Sequence, residues 1–176
     1  MTRVLQFVFA LTLAMGLGAT TLEKLTVDQM VAQSTSIVRG RVTSSAAVQR
    51  GNLIYTVYRV QVTEWVKGGS GATAEVYVPG GVVNGRRQSI AGAPSLASGT
   101  EYVIFVWTSP KGTPHIIGLS QGVLSVQSTG SSEAVLARGP IEDAQVVDSQ
   151  GEPTSDAGLK LTLSSLRARA RRTVAR

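Results

Sequence analysis

The single histidine, His115, and three carboxylates set on or beside apolar stretches, Glu64, Glu75 and Glu101, are the side chains of this 176-residue chain suited to proton transfer. A Ser–His–acid triad would have to use His115. That residue follows Pro114 at the start of a short apolar run, and no nucleophile-elbow sequence is present. A glycosidase-type pair needs two carboxylates facing one bond, and spacing alone brings none of the three together. The chain has no cysteine, which removes thiol nucleophiles, thiolate zinc sites and lipid attachment at a cysteine. A zinc site without cysteine would need further ligands from carboxylates alone. The sequence therefore predicts no catalytic residue, no metal site and no cofactor. Gly69-Ser70-Gly71-Ala72-Thr73-Ala74 matches the loose dinucleotide fingerprint. That chemistry requires a helix start after the glycines, whereas Glu75-Val76-Tyr77-Val78 alternates like a strand.

Two basic segments are better candidates, for binding. Asn84-Gly85 is a hairpin-turn signal, and Asn84, Gly85, Arg86, Arg87 and Gln88 should project from a glycine- and proline-rich insert over residues 79–99. Long loops on a rigid sheet are a common place for recognition. The second segment is the C-terminus. Residues 160–176 hold Lys160, Arg167, Arg169, Arg171, Arg172 and Arg176 and no acid. The net charge of +6 is concentrated there, and the rest of the mature chain is near neutral. Arg167, Arg169, Arg171 and Arg172 are the candidate contacts to a polyanion.

The elements that must position these residues are mostly strands. Charged residues make up only 16% of the chain and hydrophobic ones 43%, with 19 glycines, which suits short strands joined by tight turns. Strands are expected at residues 36–43, 54–66, 73–78, 101–108, 115–119 and 123–127, with an edge strand at 134–138. Gly40 suggests a bulge or bend, and the length of 54–66 suggests a bend near Glu64 or Trp65. Residues 102–107 are continuously apolar, as a strand covered on both faces would be.

Helices are expected at the two ends. Thr26 and Gln29 have capping-box spacing, with Leu25 and Met30 placed as a hydrophobic staple. Near the C-terminus, Thr162 is a cap, and Leu163, Leu166, Ala170 and Val174 form one stripe at helical spacing. Arg3, the apolar run over residues 4–17 and the small residues Gly16, Gly18 and Ala19 describe a secretory signal peptide. The run is shorter than the ~20 residues of a membrane span, and no later segment is long and apolar enough. The expected organisation is a signal over 1–19, a β-domain over 20–138, a linker or long loop over 139–159 and a basic helix over 160–176.

Three pieces occur in a telling order. Ile37-Val38-Arg39-Gly40-Arg41-Val42 precedes a strand that contains Tyr55 and ends Glu64-Trp65-Val66-Lys67-Gly68. Gly99-Thr100-Glu101-Tyr102-Val103-Ile104-Phe105 follows. Over residues 36–107 this order resembles the OB-type barrel of the netrin-like and tissue-inhibitor-of-metalloproteinases superfamily. It is similar also to a group of exported bacterial proteins with the same run of elements. The resemblance implies a mainly β protein, a small closed Greek-key (OB-like) barrel with a short N-terminal helix and a basic C-terminal helix. It does not bring the inhibitor mechanism. Those inhibitors chelate the protease zinc through an N-terminal cysteine and are held by disulfides, so no functional residue carries over.

The reading favoured is an exported, non-catalytic binding domain, periplasmic or extracellular, whose partner is a protein such as a secreted protease. The alternatives are a polyanion or nucleic-acid binder acting through the C-terminal helix, and a carboxylate-dependent hydrolase.

Overall fold

The structure, a computed structural model, describes residues 21–127 and 133–174. The expected signal peptide lies outside the described residues. The fold is mainly β: one large sheet, two small two-stranded pairings and two helices.

The chain begins with β1 (Thr21–Glu23) and α1 (Val27–Gln33). The capping box forms as expected. Thr26 Oγ1 accepts the Gln29 N–H at 3.2 Å, and Gln29 Oε1 accepts the Thr26 N–H at 2.8 Å. Next come β2 (Ser36–Arg50), β3 (Leu53–Lys67) and β4 (Thr73–Pro79), an antiparallel meander. β2 runs beyond the expected end at Thr43. The small residues Ala46 and Ala47 continue the ladder against β3, and Gly81 of the next hairpin packs over Ala47. That hairpin is β5 (Gly81–Val83) with β6 (Arg86–Gln88).

β7 (Glu101–Thr108) then pairs with β2. Its other edge is shared by β8 (Pro114–Ile116) near its end and β9 (Val123–Gln127) near its start. β8 also touches β4 in parallel, Tyr77 opposite His115. β8 is shorter than expected because Gly118 takes a left-handed conformation and Leu119–Gly122 form a 3₁₀ turn. β10 (Val135–Arg138) follows β9.

Residues 139–159, expected to be a linker or long loop, contain β11 (Gln145–Val147), which pairs in parallel with β1. The segment is also pinned at Asp156, a buried carboxylate that accepts from Arg138 Nη1 at 2.5 Å and from the Gly158 N–H at 3.0 Å. Lys24 Nζ donates to the Ser155 carbonyl at 2.9 Å. Residues Leu159–Thr162 form β12, which pairs with β10. α2 (Leu163–Val174) starts only after it. Local composition favours a helix there, but a free sheet edge and the Thr162 cap decide otherwise: Thr162 Oγ1 accepts the Ser165 N–H at 3.2 Å.

Two cores share one wall. Directly opposed residues in an antiparallel pair point to the same face. Ile37 opposes Phe105, and both enter a core closed by Met30 of α1 and Leu163, Leu166 and Ala170 of α2. Val38 opposes Ile104, and both enter a second core with Val60, Val76 and Ile116. Val103, Ile104, Phe105 and Val106 are therefore all buried, as the unbroken apolar run requires. Burying each such side chain stabilises the fold by about 1.5–3 kcal/mol.

Gly40 marks the tightest approach in the wall. The β2–β3 register shifts at Arg39/Gly40. A Cβ on Gly40 would stand 2.3 Å from the Gln61 carbonyl oxygen and 2.6 Å from Val60 Cγ1. A second register shift lies at Ile37/Val38, so the pairs Val38–Trp65 and Arg39–Glu64 stand between two irregularities of the ladder. Gly40→Ala is expected to destabilise the protein by about 1–3 kcal/mol, the usual cost of overpacking. Urea unfolding would show this as a lower midpoint with an unchanged slope; an unaltered midpoint would contradict it.

Candidate functional site

The hairpin is where the sequence puts it. Asn84 and Gly85 have φ of 49° and 75°, the two positive values that a type I′ turn needs. Asn84, Gly85, Arg86 and Arg87 are exposed. Gln88 is not free. Its Oε1 accepts the Ile54 N–H at 2.6 Å, and the Gly80 N–H donates to the Ile54 carbonyl at 2.8 Å, so the hairpin is bolted to β3.

The C-terminal arginines divide in two. Arg167 holds Glu64 through paired bonds of 2.7 Å and 2.7 Å, and Arg169 holds Asp28 at 2.6 Å. These contacts fasten α2 to β3 and to the first turn of α1, where an anion already suits the helix dipole. Arg171 and Arg172 are exposed, with no carboxylate partner among the described residues. An anion-binding arm would thus have two free arginines in place of four.

The three carboxylates are taken up separately. Glu64 pairs with Arg167, Glu75 with Arg59 at 3.0 Å, and Glu101 with Arg39 at 2.9 Å. Each is held by a different arginine, and the carboxylates are not joined to one another. Among the described residues no group of three or more histidines or acids is placed to hold a metal ion. The glycine-rich segment before β4 runs into a strand, and the Trp65 ring lies against Gly69. Trp65 Nε1 donates to the Gly71 carbonyl at 2.9 Å. The dinucleotide reading has no helix to stand on.

His115 leads to a feature that the sequence did not reveal. Among the described residues no acid pairs with it. Its neighbours are aromatic: Tyr55 at 5.9 Å between ring centroids and Trp107 at 6.1 Å in a stacked arrangement. Tyr55 in turn meets Tyr77 edge-on at 6.2 Å. The Arg50 guanidinium lies 4.4 Å from the Tyr77 ring centroid, donates to the Tyr77 hydroxyl at 2.7 Å and reaches Thr113 Oγ1 at 3.3 Å. Burial pushes the His115 pKa down, and the Arg50 charge adds to the effect. Both effects favour the neutral form of the ring.

These four rings come from β3, β4, β8 and β7 and form a belt across the outer face of the sheet. The alternation of β3 and β4 turns Tyr58, Val60, Val76 and Val78 inward and leaves Tyr55 and Tyr77 outward. Leu53 (45% exposed) lies on the same side of β3 as Tyr55, and Trp107 (43% exposed) ends the belt. A groove of about 470 Å³, lined by Leu25, Gln33, Trp107, Ile116, Ile117 and Gly118, adjoins it. The signal available in the sequence was the phase of each aromatic against its strand; the cross-strand register was needed to join them.

The chain matches no protein-family model and no curated protein sequence.

The Arg167 bonds hold the Glu64 carboxyl below its ordinary pKa; burial opposes this, and the charges of Arg167 and Arg39 reinforce it. A carboxylate pKa depressed by folding stabilises the protein above its unfolded value of about 4.3. That contribution disappears as the pH falls through the folded pKa. Thermal midpoints measured from pH 7 to pH 2.5 should fall less steeply below about pH 4.3 in Glu64→Gln than in the unaltered protein. Identical acid limbs would contradict the pairing.

Proposed function

We propose that this chain is an exported, non-catalytic binding domain that recognises a protein partner on the Tyr55–Tyr77–His115–Trp107 face. Export rests on Arg3, the apolar run over 4–17 and the small residues after it. Among the described residues no helix is long and apolar enough to cross a membrane.

The barrel of the netrin-like resemblance is part of this reading. Pairings lead from β7 to β2, β3, β4 and β8 and back to β7. A path that returns to its start, with a single parallel step, is what a five-stranded Greek-key barrel of OB type would have. In such barrels the second and third strands and their flanking loops carry ligands. Here those strands are β3 and β4; Arg50 ends β2 just before the turn into β3, and Thr113 lies in the β7–β8 loop.

The observation that carries the proposal is the belt itself. Trp, Tyr and Arg are the residues enriched at the energetic centres of protein interfaces, and here they adjoin on one solvent-facing surface. A secreted protease remains the partner class that the family resemblance suggests, through contacts other than zinc chelation. The second reading, polyanion binding by the C-terminal helix, is favoured by the exposure of Arg171 and Arg172.

Affinity capture from the native extracytoplasmic fraction tests the choice of surface. A Trp107→Ala, Tyr55→Ala double variant should lose a partner that the unaltered chain retains, while Arg86→Ala, Arg87→Ala should keep it. Circular dichroism should show both variants folded. Loss through the hairpin arginines with retention by the aromatic variant would move the site to β5–β6.

A further inference from the structure

We infer that the aromatic face binds an extended, proline-containing peptide segment carrying an acidic residue, held in the polyproline II conformation. The inference rests on the proposed function and specifies the ligand of the same face.

Ring orientation selects among ligands. Tyr55 and Tyr77 meet at 71°, and Tyr55 and His115 at 52°. Rings at such angles form ridges with furrows between them. Trp107 and His115 lie near parallel at 30°, but the two tilted pairs keep the belt as a whole from being the flat platform on which nucleobases or the faces of a sugar chain stack. Furrows between aromatic ridges accept the rigid rings of proline, and a polyproline II segment enters them with little conformational entropy to lose. Three steps of 6.2, 5.9 and 6.1 Å join the four rings. The belt thus extends at most about 18 Å between terminal ring centroids, the length of about six residues at 3.1 Å each.

Hydrogen-bonding capacity points the same way. Trp107 Nε1 and the Tyr55 hydroxyl have no partner among the described residues, whereas Trp65 Nε1 is bonded to the Gly71 carbonyl. The free indole is a donor only, and the free phenol can donate. A proline-rich backbone supplies the complement, carbonyl acceptors with few N–H groups. A polysaccharide would bring hydroxyls that donate as much as they accept.

Charge complements the ligand at one end. Arg50 is bonded to a phenol and a hydroxyl, and to no carboxylate among the described residues. Lys111 stands exposed in the same β7–β8 loop as Thr113. On this face Glu75 is already paired with Arg59, and no carboxylate among the described residues pairs with Arg50 or Lys111. An acidic residue flanking the prolines answers their charge.

The test is an NMR titration of the folded ¹⁵N-labelled chain with synthetic peptides. One peptide repeats Glu-Pro-Pro, a second has alanine for proline, and a third has lysine for glutamate. The expected result is a saturable shift of the Trp107 indole N–H with the first peptide and no shift at Trp65. Binding should weaken about tenfold with the lysine peptide and with Arg50→Gln, and the alanine peptide should fail to saturate. If the indole responds to an oligonucleotide or an oligosaccharide and not to the peptide, the inference is overturned and the face has another ligand class. If capture of a protein partner depends on Trp107 but no peptide shifts its indole, the inference fails while the proposed function stands. If neither capture nor titration involves Trp107, both fall.

Discussion

The pairing of β2 with β7 is the contact on which the rest of the molecule depends. Ile37 opposite Phe105 and Val38 opposite Ile104 place large apolar side chains on both faces of one ladder. Neither face can be left to water, so each requires its own cover. One side receives β3, β4 and β8. The other receives α1, α2 and the β9–β10–β12 extension of the sheet. Both helices are too short to persist alone in water; docking on this wall is what keeps them. Lys67 at the end of β3 completes the joint, donating to the Val31 and Ser34 carbonyls at 2.6 Å each, which caps the C-terminus of α1.

The exposed aromatic face follows from where that cover stops. Val103 and Phe105 lie beneath the helices, and Trp107, two residues on and on the same side of β7, lies beyond them. The strand thus passes from a covered surface to an open one without changing its alternation. The arginines of α2 belong to the covered part. Arg167 and Arg169 brace the helix against Glu64 and Asp28, and Arg138 with Asp156 fixes the segment that leads back to it. Charge that reads as a free basic arm is thereby partly built into the fold.

What was legible in the sequence depended on how local its cause was. The Thr26–Gln29 box spans four residues, and the Asn84-Gly85 turn only two; both form in the structure. The stripe of Leu163, Leu166 and Ala170 is buried as its period required. Interactions across long separations left no such mark. Arg167 and Glu64 are 103 residues apart, and Arg169 and Asp28 are 141 apart. β11 has three residues, too few to show a period, and its partner β1 lies at the other end of the chain. Tyr55, Tyr77, Trp107 and His115 each look ordinary in their own strands. Their meeting depends on the register of four strands, which no single segment encodes. The Thr162 cap is local and forms, but the strand that precedes it needs the edge of β10 to exist.

The central claim is that both cores hang on one ladder, and native-state hydrogen exchange measures it most directly. The amides of residues 36–41 and 101–106 should be the slowest in the protein and should exchange together, only through global unfolding. α2 and β12 should open first, at lower free energy. The contradicting result would be a unit of β7, β9, β10 and α2 that exchanges while β2, β3 and β4 stay protected. That would mean two separable cores with no shared wall.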